Sequence, residues 1–569
     1  MDYKEVLAEL LASSTGLPKE EMLISIETPP DPKMGHMAFP CFRLAKSMKK
    51  APPVIAQELV AKIEENRPAW LGEARATGPY LNFFLDRTTF AQDVIREVLE
   101  KGGAFGARGQ GNGKKVVIDY SSPNIAKPFH VGHLGSTIIG LSIDRTYRFL
   151  GYKVTSVNHL GDWGTQFGKV ITAYLKWGNR DDIEKTGMDG LVSLYVRFHE
   201  EADKDDSLND EARSWVVRLA DGDKEGLELW SWFVDISRRD FDRMYERMGI
   251  TFDLFRGESY YNDKMDAVVN ELREKSLLKE SEGAQIVDLE EYNMPPCLIL
   301  RSDGGTLYPT RDIAAAIDRQ GYAQFDLCLY VTGQEQILHF NQWFKVVELM
   351  GYPWAKGLMH IHYGMLRFSE GNMSTRRGNV IKLEALLDEA VAKTKAIIDE
   401  KNPNLANKDK VAEEVGIGAL IFGKLYNSRI KDTVFNWDAM LNFEGETGPY
   451  VQYTHARACS VLEKGGYNIE TASTNLDPTL LTEDEAINVI RLIYDFPAKV
   501  EEAAAKFEPF IIARQVVALA QAFNFYYHKN IILVDDENLR LTRLALTAAV
   551  AQILRIGLSL LGMSAPSAM

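Results

Sequence analysis

A short apolar run, KVVIDY (Lys115–Tyr120), breaks into SSPNIAKPFHVGH and then into a helical pattern, LGSTIIGLSIDRTYRFL. A strand with no polar alternation suits burial on both faces, which is the situation of a parallel sheet. A turn carrying Pro and Gly and followed by a helix makes that strand the first half of a strand–turn–helix unit. Such a unit needs further strands beside it and helices over both faces. The later runs YKVTSVNHL, FDLCLYVTG and KGLMHIHYGML, separated by long helical patterns, supply them. The expected fold is a doubly wound α/β domain whose ligands bind at the carboxyl edge of the sheet.

At 569 residues the chain has room for several domains. Residues 1–105 combine an amphipathic helix, the turn TPPDPKMGHMAF, the basic segment RLAKSMKKAPP and the strand-like PYLNFFL, an α+β pattern. KGGAFGARGQGNGKK reads as a linker. The α/β domain is expected over 106–404, interrupted at about 169–296 by an acidic, aromatic, mainly helical insertion; 405–569 reads as an all-α domain. The four cysteines are far apart and form no CxxC, so neither a disulfide framework nor a metal site is expected. The apolar segment Leu541–Met563 is broken by Arg543, Gln552 and Arg555 and reads as a packed helix. The opening MDYKEVLAELLASS lacks the basic start of a signal peptide, and a cytoplasmic location is expected. A net charge of −15 disfavours indiscriminate binding to polyanions, so any nucleic acid must meet a local basic surface.

HVGH falls at the start of the helix that follows KVVIDY. Helix-start amides favour anionic groups, and two imidazoles there can donate to phosphate oxygens as charge builds on them. Gly132 removes a side chain that would block close approach of a bound ring. On four residues alone, His130 and His133 are as readily helix caps. Far downstream, SEGNMSTRRGNVIKL (Ser369–Leu383) offers Ser, Thr and two arginines in a Gly-flanked loop able to close over phosphates. Alone it would be a solvated basic turn.

The two together resemble the paired signatures of class I aminoacyl-tRNA synthetases. SPNIAKPFHVGH, NHLGDWGTQFG, FDLFRGESYYND, LYPTRDIAAA, GQEQILHF and GPYVQYTHARA are similar, in this order, to the arginyl-tRNA synthetase family. The resemblance implies a Rossmann-like catalytic domain, an N-terminal domain that grips the tRNA elbow and a helical anticodon-binding domain. It implies ATP-dependent joining of L-arginine to its tRNA through an arginyl-adenylate, with Mg2+ accompanying ATP and with no ATP–pyrophosphate exchange in the absence of tRNA. A monomer is expected.

Carried over residue by residue, the resemblance makes Lys127, His130, His133, Ser374 and Arg376 catalytic, and assigns His130, Gly132, His133, Gly333, Met373 and Ser374 to ATP. Asp119, Asn124, Tyr308, Asp312 and Gln336 are assigned to arginine. For Asp312 an ion pair with Arg311 is, on the residues alone, an equal reading. Asn82 and the basic segment are assigned to the tRNA elbow. Tyr450, Gln452, Tyr453, Arg457, Tyr527 and Met569 are assigned to the anticodon, where aromatic faces and a cation suit unpaired bases. Asp162, Trp163 and Gln166 are expected along the same cleft as the arginine residues. The loop departs from the class form KMSKS: both lysine positions are filled otherwise, by Asn372 and Thr375. Lys127, beside Pro128, is therefore expected to supply the missing cation. A nucleotidyltransferase sharing HxGH would not need GPYVQYTHAR, and a decayed tRNA-binding paralogue would not need His130, His133, Asp312 and Gln336.

Overall fold

The computed structural model describes residues 2–29, 31–302, 304–368, 381–467 and 476–569. Two compact units result, one from residues 1–105, 457–496 and 518–553, the other from 106–456, 497–517 and 554–569.

The first unit holds the antiparallel sheet β1 (Met37–Pro40), β2 (Leu71–Thr77) and β3 (Tyr80–Leu85), with β3 in the middle. Asn82 lies on β3, opposite Ala38 and Arg75. It is 5% exposed and donates through Nδ2 to Thr77 Oγ1 at 3.1 Å. One amide N–H is thus used inside the hairpin.

The second unit is built on β4 (Lys115–Asp119), β5 (Lys153–Asn158), β6 (Leu254–Phe255), the antiparallel trio β7 (Leu278–Ser281), β8 (Ala284–Val287) and β9 (Cys297–Leu300), then β10 (Leu327–Tyr330) and β11 (Leu358–His360). The central sheet runs β11-β10-β4-β5-β6, every pairing parallel. The four apolar runs read as strands are its four longest members. The edge strand β6 and the hairpin β7–β8 lie inside the stretch read as mainly helical, with β9 directly after it, because two- to four-residue strands leave no periodicity to detect. The helices Arg180–Thr186, Met188–Ala202, Ser207–Ala220, Lys224–Arg247 and Met265–Glu274 also lie in that stretch. Val117, Val157, Cys328, Tyr330, Phe340 and Trp343 belong to one buried cluster under the sheet. The late apolar helix, Glu537–Leu560, has 89% of its most apolar window buried in the protein, as a packed helix requires.

The helix Val131–Phe149 lies directly on β4's continuation. A Cβ at Gly140 would stand 2.3 Å from Tyr120 Cβ, and Tyr120 is itself locked against Phe252 at a ring separation of 4.6 Å. Gly140→Ala should therefore push this helix off the sheet and cost about 1–3 kcal/mol. Thermal melting checks this: a midpoint lowered by several degrees is expected, and one unchanged within about 1 °C would mean that the helix has room to spare.

Candidate active site

β4 is the central strand, and Asp119 at its carboxyl end pairs in register with Tyr330 on one side and Val157 on the other. The chain then leaves the sheet through a strained turn. Ser121, Ser122 and Ala126 all have positive φ, at 71°, 47° and 55°, a region that L side chains avoid unless their surroundings impose it. The surroundings do so. Ser121 N–H donates to Ser136 Oγ (2.9 Å), Ser121 Oγ shares protons with Thr137 and Tyr245 (both 2.8 Å), and Ala126 N–H donates to Ser237 Oγ (3.1 Å). Asn124 is brought against Gly161, where a Cβ would stand 2.0 Å from its Oδ1.

His130 is the N-cap of the helix Val131–Phe149, and with His133 it forms a reciprocal capping box. His130 Nδ1 accepts the Gly132 N–H at 3.0 Å, and His133 Nδ1 accepts the His130 N–H at 3.2 Å. An Nδ1 that accepts carries no proton, so in each neutral ring the proton sits on Nε2. Burial, with Lys127's charge nearby, holds both imidazoles below their ordinary range, His133 down to about 3. The pair, with ring centroids 3.9 Å apart, is thus two neutral Nε2–H donors. Capping and phosphate binding are not alternatives here, because the cap uses one nitrogen and frees the other. Gly132 also serves the cap, since a Cβ there would stand 2.6 Å from His130 Cε1.

These residues open onto a cleft of about 760 Å³. One wall is the helix Tyr308–Ala323, whose Tyr308, Asp312, Ala315 and Arg319 fall on one face and all line the cleft. Asp312 Oδ2 meets His339 Nε2 at 2.6 Å, not Arg311. Arg311 instead reaches Glu258 at 3.0 Å. Glu258 lines the cleft beside Asp312, and burial with the neighbouring Asp312 and Asp162 charges pushes it up to about 7 despite Arg311. Sequence reading quoted FRGESYYND but passed over Glu258; an acid in the apolar surroundings of that motif was the available signal. Arg319, also missed, pairs with Asp119 at 2.6 Å, both buried. Asp119's other oxygen accepts from Ser122 Oγ at 2.8 Å.

Asn124, Gln336 and Gly333 line the same cleft with His130, Gly132 and His133. Lys127 does not line it and makes no ion pair with a described residue, but its charge is felt by both imidazoles. Asp162, Trp163 and Gln166 are absent from the lining, which corrects their expected place. Asp162 accepts from Ser259 N (2.8 Å) and Oγ (2.7 Å), Trp163 packs edge-on against Trp230, and Gln166 donates to the Gly161 carbonyl (3.1 Å). Met373, Ser374 and Arg376 lie outside the described residues. Downstream of them, Val131 N–H donates to Ile381 O (3.2 Å) and Leu383 N–H to Phe129 O (2.9 Å), so the two signature segments are hydrogen-bonded to each other.

On the helix Gly448–Lys464, Tyr453 is 38% exposed. Arg457 donates to Asn524 Oδ1 at 2.6 Å and lies 5.4 Å from the Tyr527 ring centroid. Gln452 is 0% exposed, its amide donating to the Glu414 and Ser564 carbonyls at 3.2 and 2.9 Å. Its assignment to the anticodon is corrected: the side chain is a brace with no face open to a base. Met569 packs beside the buried Ile398, Val411, Ala412 and Val415, and its carbonyl accepts from Asn402 Nδ2 at 3.1 Å.

The catalytic-domain profile of the class I (R) tRNA synthetases matches residues 94–437, which include every residue of the cleft. The chain belongs to the arginyl-tRNA synthetases. Profiles for the arginyl-tRNA synthetase N-terminal domain and the DALR anticodon-binding domain match residues 1–85 and 451–569. The arginine–tRNA ligases of Alkaliphilus metalliredigens and Halothermothrix orenii are 53% and 51% identical, each match covering 100% of both chains. Among solved structures, the arginyl-tRNA synthetase of Thermus thermophilus is 26% identical, with a TM-score of 0.82 and 100% of both chains covered. That of Plasmodium falciparum, at 24% identity, has the same fold with a TM-score of 0.80, covering 100% of this chain and 98% of that one.

In an arginyl-tRNA synthetase a half-ionised acid next to Asp312 has a pH consequence. A guanidinium binds the carboxylate form of Glu258, whose pKa is raised, so arginine affinity should be full well above about 7 and decline as pH falls through that value. Arginine KM measured from about pH 6 to 8.5 should show this slope, and Glu258→Gln should flatten it. An identical slope in the variant would assign the titration to another group.

Proposed function

We propose that this cleft binds arginine and ATP end to end and activates the amino acid for transfer to tRNA. The observation that carries the reading is the make-up of the cleft: the carboxylates of Asp119, Glu258 and Asp312, and two neutral Nε2–H donors at a helix N-terminus. Asp312 takes the guanidinium with Glu258 as a second carboxylate and Tyr308 beside them. Two acids match a planar fork of donors and leave a lysine ammonium under-filled. Asn124 and Gln336 take the α-amino group, with Asp119 contributing the lone pairs that Ser122 and Arg319 leave open. The arginine carboxylate then faces the α-phosphorus of ATP.

His130 and His133 donate to phosphate oxygens as the carboxylate attacks and pyrophosphate departs. Being neutral, they need lose no proton to do so. Lys127 brings the formal cation that the loop lacks at Asn372 and Thr375, while Met373, Ser374 and Arg376 close over the phosphates from the loop side. Gly333 lies beside the ribose, and ATP enters as its Mg2+ complex. Tyr450, Tyr453, Arg457 and Tyr527 are read as anticodon contacts. The division 1–105, 106–404 and 405–569, a monomeric state and a cytoplasmic location complete the proposal.

Charging of bulk tRNA with radiolabelled arginine tests the reading as a whole. Asp312→Asn should lower kcat/KM for arginine at least about a hundredfold while leaving KM for ATP within about twofold; near-unchanged arginine use would remove Asp312 from the pocket. Lys127→Ala should slow single-turnover adenylate formation, with tRNA saturating, about a hundredfold or more at unaltered arginine affinity. A rate within about threefold of the parent would leave the phosphate charge to Arg376 or Arg377.

A further inference from the structure

One region of the cleft has no role in the division above. Its lining also includes Tyr363, Gly364, Met365 and Leu366 and, from the helix Lys408–Leu425, Lys424. Lys424 is 3% exposed, the one lysine buried among the described residues. Its Nζ donates to Gly364 O at 3.1 Å and to Thr433 Oγ1 at 3.3 Å, both neutral acceptors. The acid whose charge it feels, Asp432, is already held by Arg367 at 2.7 Å and by the Met365 N–H at 2.8 Å.

A buried ammonium without a counter-charge is costly, and an apolar side chain of the same length would fill the space more cheaply. An ammonium also has three donors. Two are used on the protein side, and the residue borders the cleft, so a group bound there can accept the third. Burial brings the lysine down to about 8, which keeps it protonated at neutral pH.

The occupant follows from what the rest of the cleft holds. With arginine at Asp312 and Glu258, phosphates at His130 and His133 and ribose at Gly333, the purine is the part of ATP left for the Tyr363–Leu366 wall. A purine presents ring nitrogens as in-plane acceptors. We propose that Lys424 is an ATP-binding residue that donates its third N–H to a ring nitrogen of the purine. This rests on the reading of the cleft as an ATP site, which tRNA charging by the parent enzyme tests separately.

The experiment is a double-mutant cycle between protein and nucleotide. Arginylation by the full chain is measured with ATP and with 1-deaza-, 3-deaza- and 7-deaza-ATP, in which one ring nitrogen at a time becomes C–H, for the parent and for Lys424→Met. The parent should lose on the order of ten- to a hundredfold in kcat/KM with one analogue. Lys424→Met should lose about as much with ATP itself and little further with that same analogue, at an arginine KM within about twofold of the parent. Should Lys424→Met be unstable, Lys424→Gln, which keeps an N–H for Gly364 or Thr433, carries the same cycle. Equal use of all four nucleotides by the parent overturns the proposal without any variant. Losses that simply multiply would also overturn it, since Lys424 would then act only by holding the Gly364–Leu366 strand.

Discussion

Asp119 and Arg319 meet at 2.6 Å in the interior, and Arg319 is 1% exposed. Neither charge could be left there alone: removing either partner strands the other in a medium where an isolated charge is very costly. The pair therefore ties the carboxyl end of the central strand to the helix Tyr308–Ala323. Tyr308 and Asp312 stand on that helix about three and two turns before Arg319, so their depth in the cleft is set by the same contact. The strained turn Ser121–Ala126 starts two residues after Asp119 and carries Asn124. The amino-acid half of the site thus hangs from one buried interaction.

The phosphate half depends on a different economy of atoms. Each histidine spends Nδ1 on a backbone N–H at the helix start and keeps Nε2–H for a ligand. Burial, and after it Lys127's charge, holds both rings below their ordinary range, so they meet a phosphate as neutral donors. The short antiparallel pairing of Phe129–Val131 with Ile381–Leu383 anchors the downstream flank of the basic loop to the histidine segment. The upstream flank is anchored by the parallel pairing of Leu366–Phe368 with Thr433–Phe435. Chemistry that needs both signatures therefore has both attached to the same frame.

The frame was legible in the sequence because long apolar strands and the glycine-containing turn after KVVIDY have strong local causes. The two-residue strand Leu254–Phe255 had none, and its place in the sheet comes from tertiary packing alone. Gln452 reads as a surface polar group in aromatic company, yet it is buried, its amide donating to carbonyls that only the fold brings near. Glu258, Arg319 and Lys424 illustrate the converse. Each is a charged residue in an ordinary-looking segment, and only burial beside the cleft distinguishes it from a solvated one. Sequence patterns carry periodicity and motif order; they do not carry which charges lose their water.

The central claim is that the cleft recognises its amino acid by a buried positive charge and joins it to tRNA. Citrulline, which matches arginine in shape but replaces the guanidinium with a neutral urea, separates charge from shape. Charging of bulk tRNA by the purified chain should be at least about a thousandfold less efficient with citrulline than with arginine, because the neutral urea gives the Asp312 carboxylate no guanidinium to pair with. Charging of the two within about tenfold of each other would contradict the account, since shape alone would then suffice.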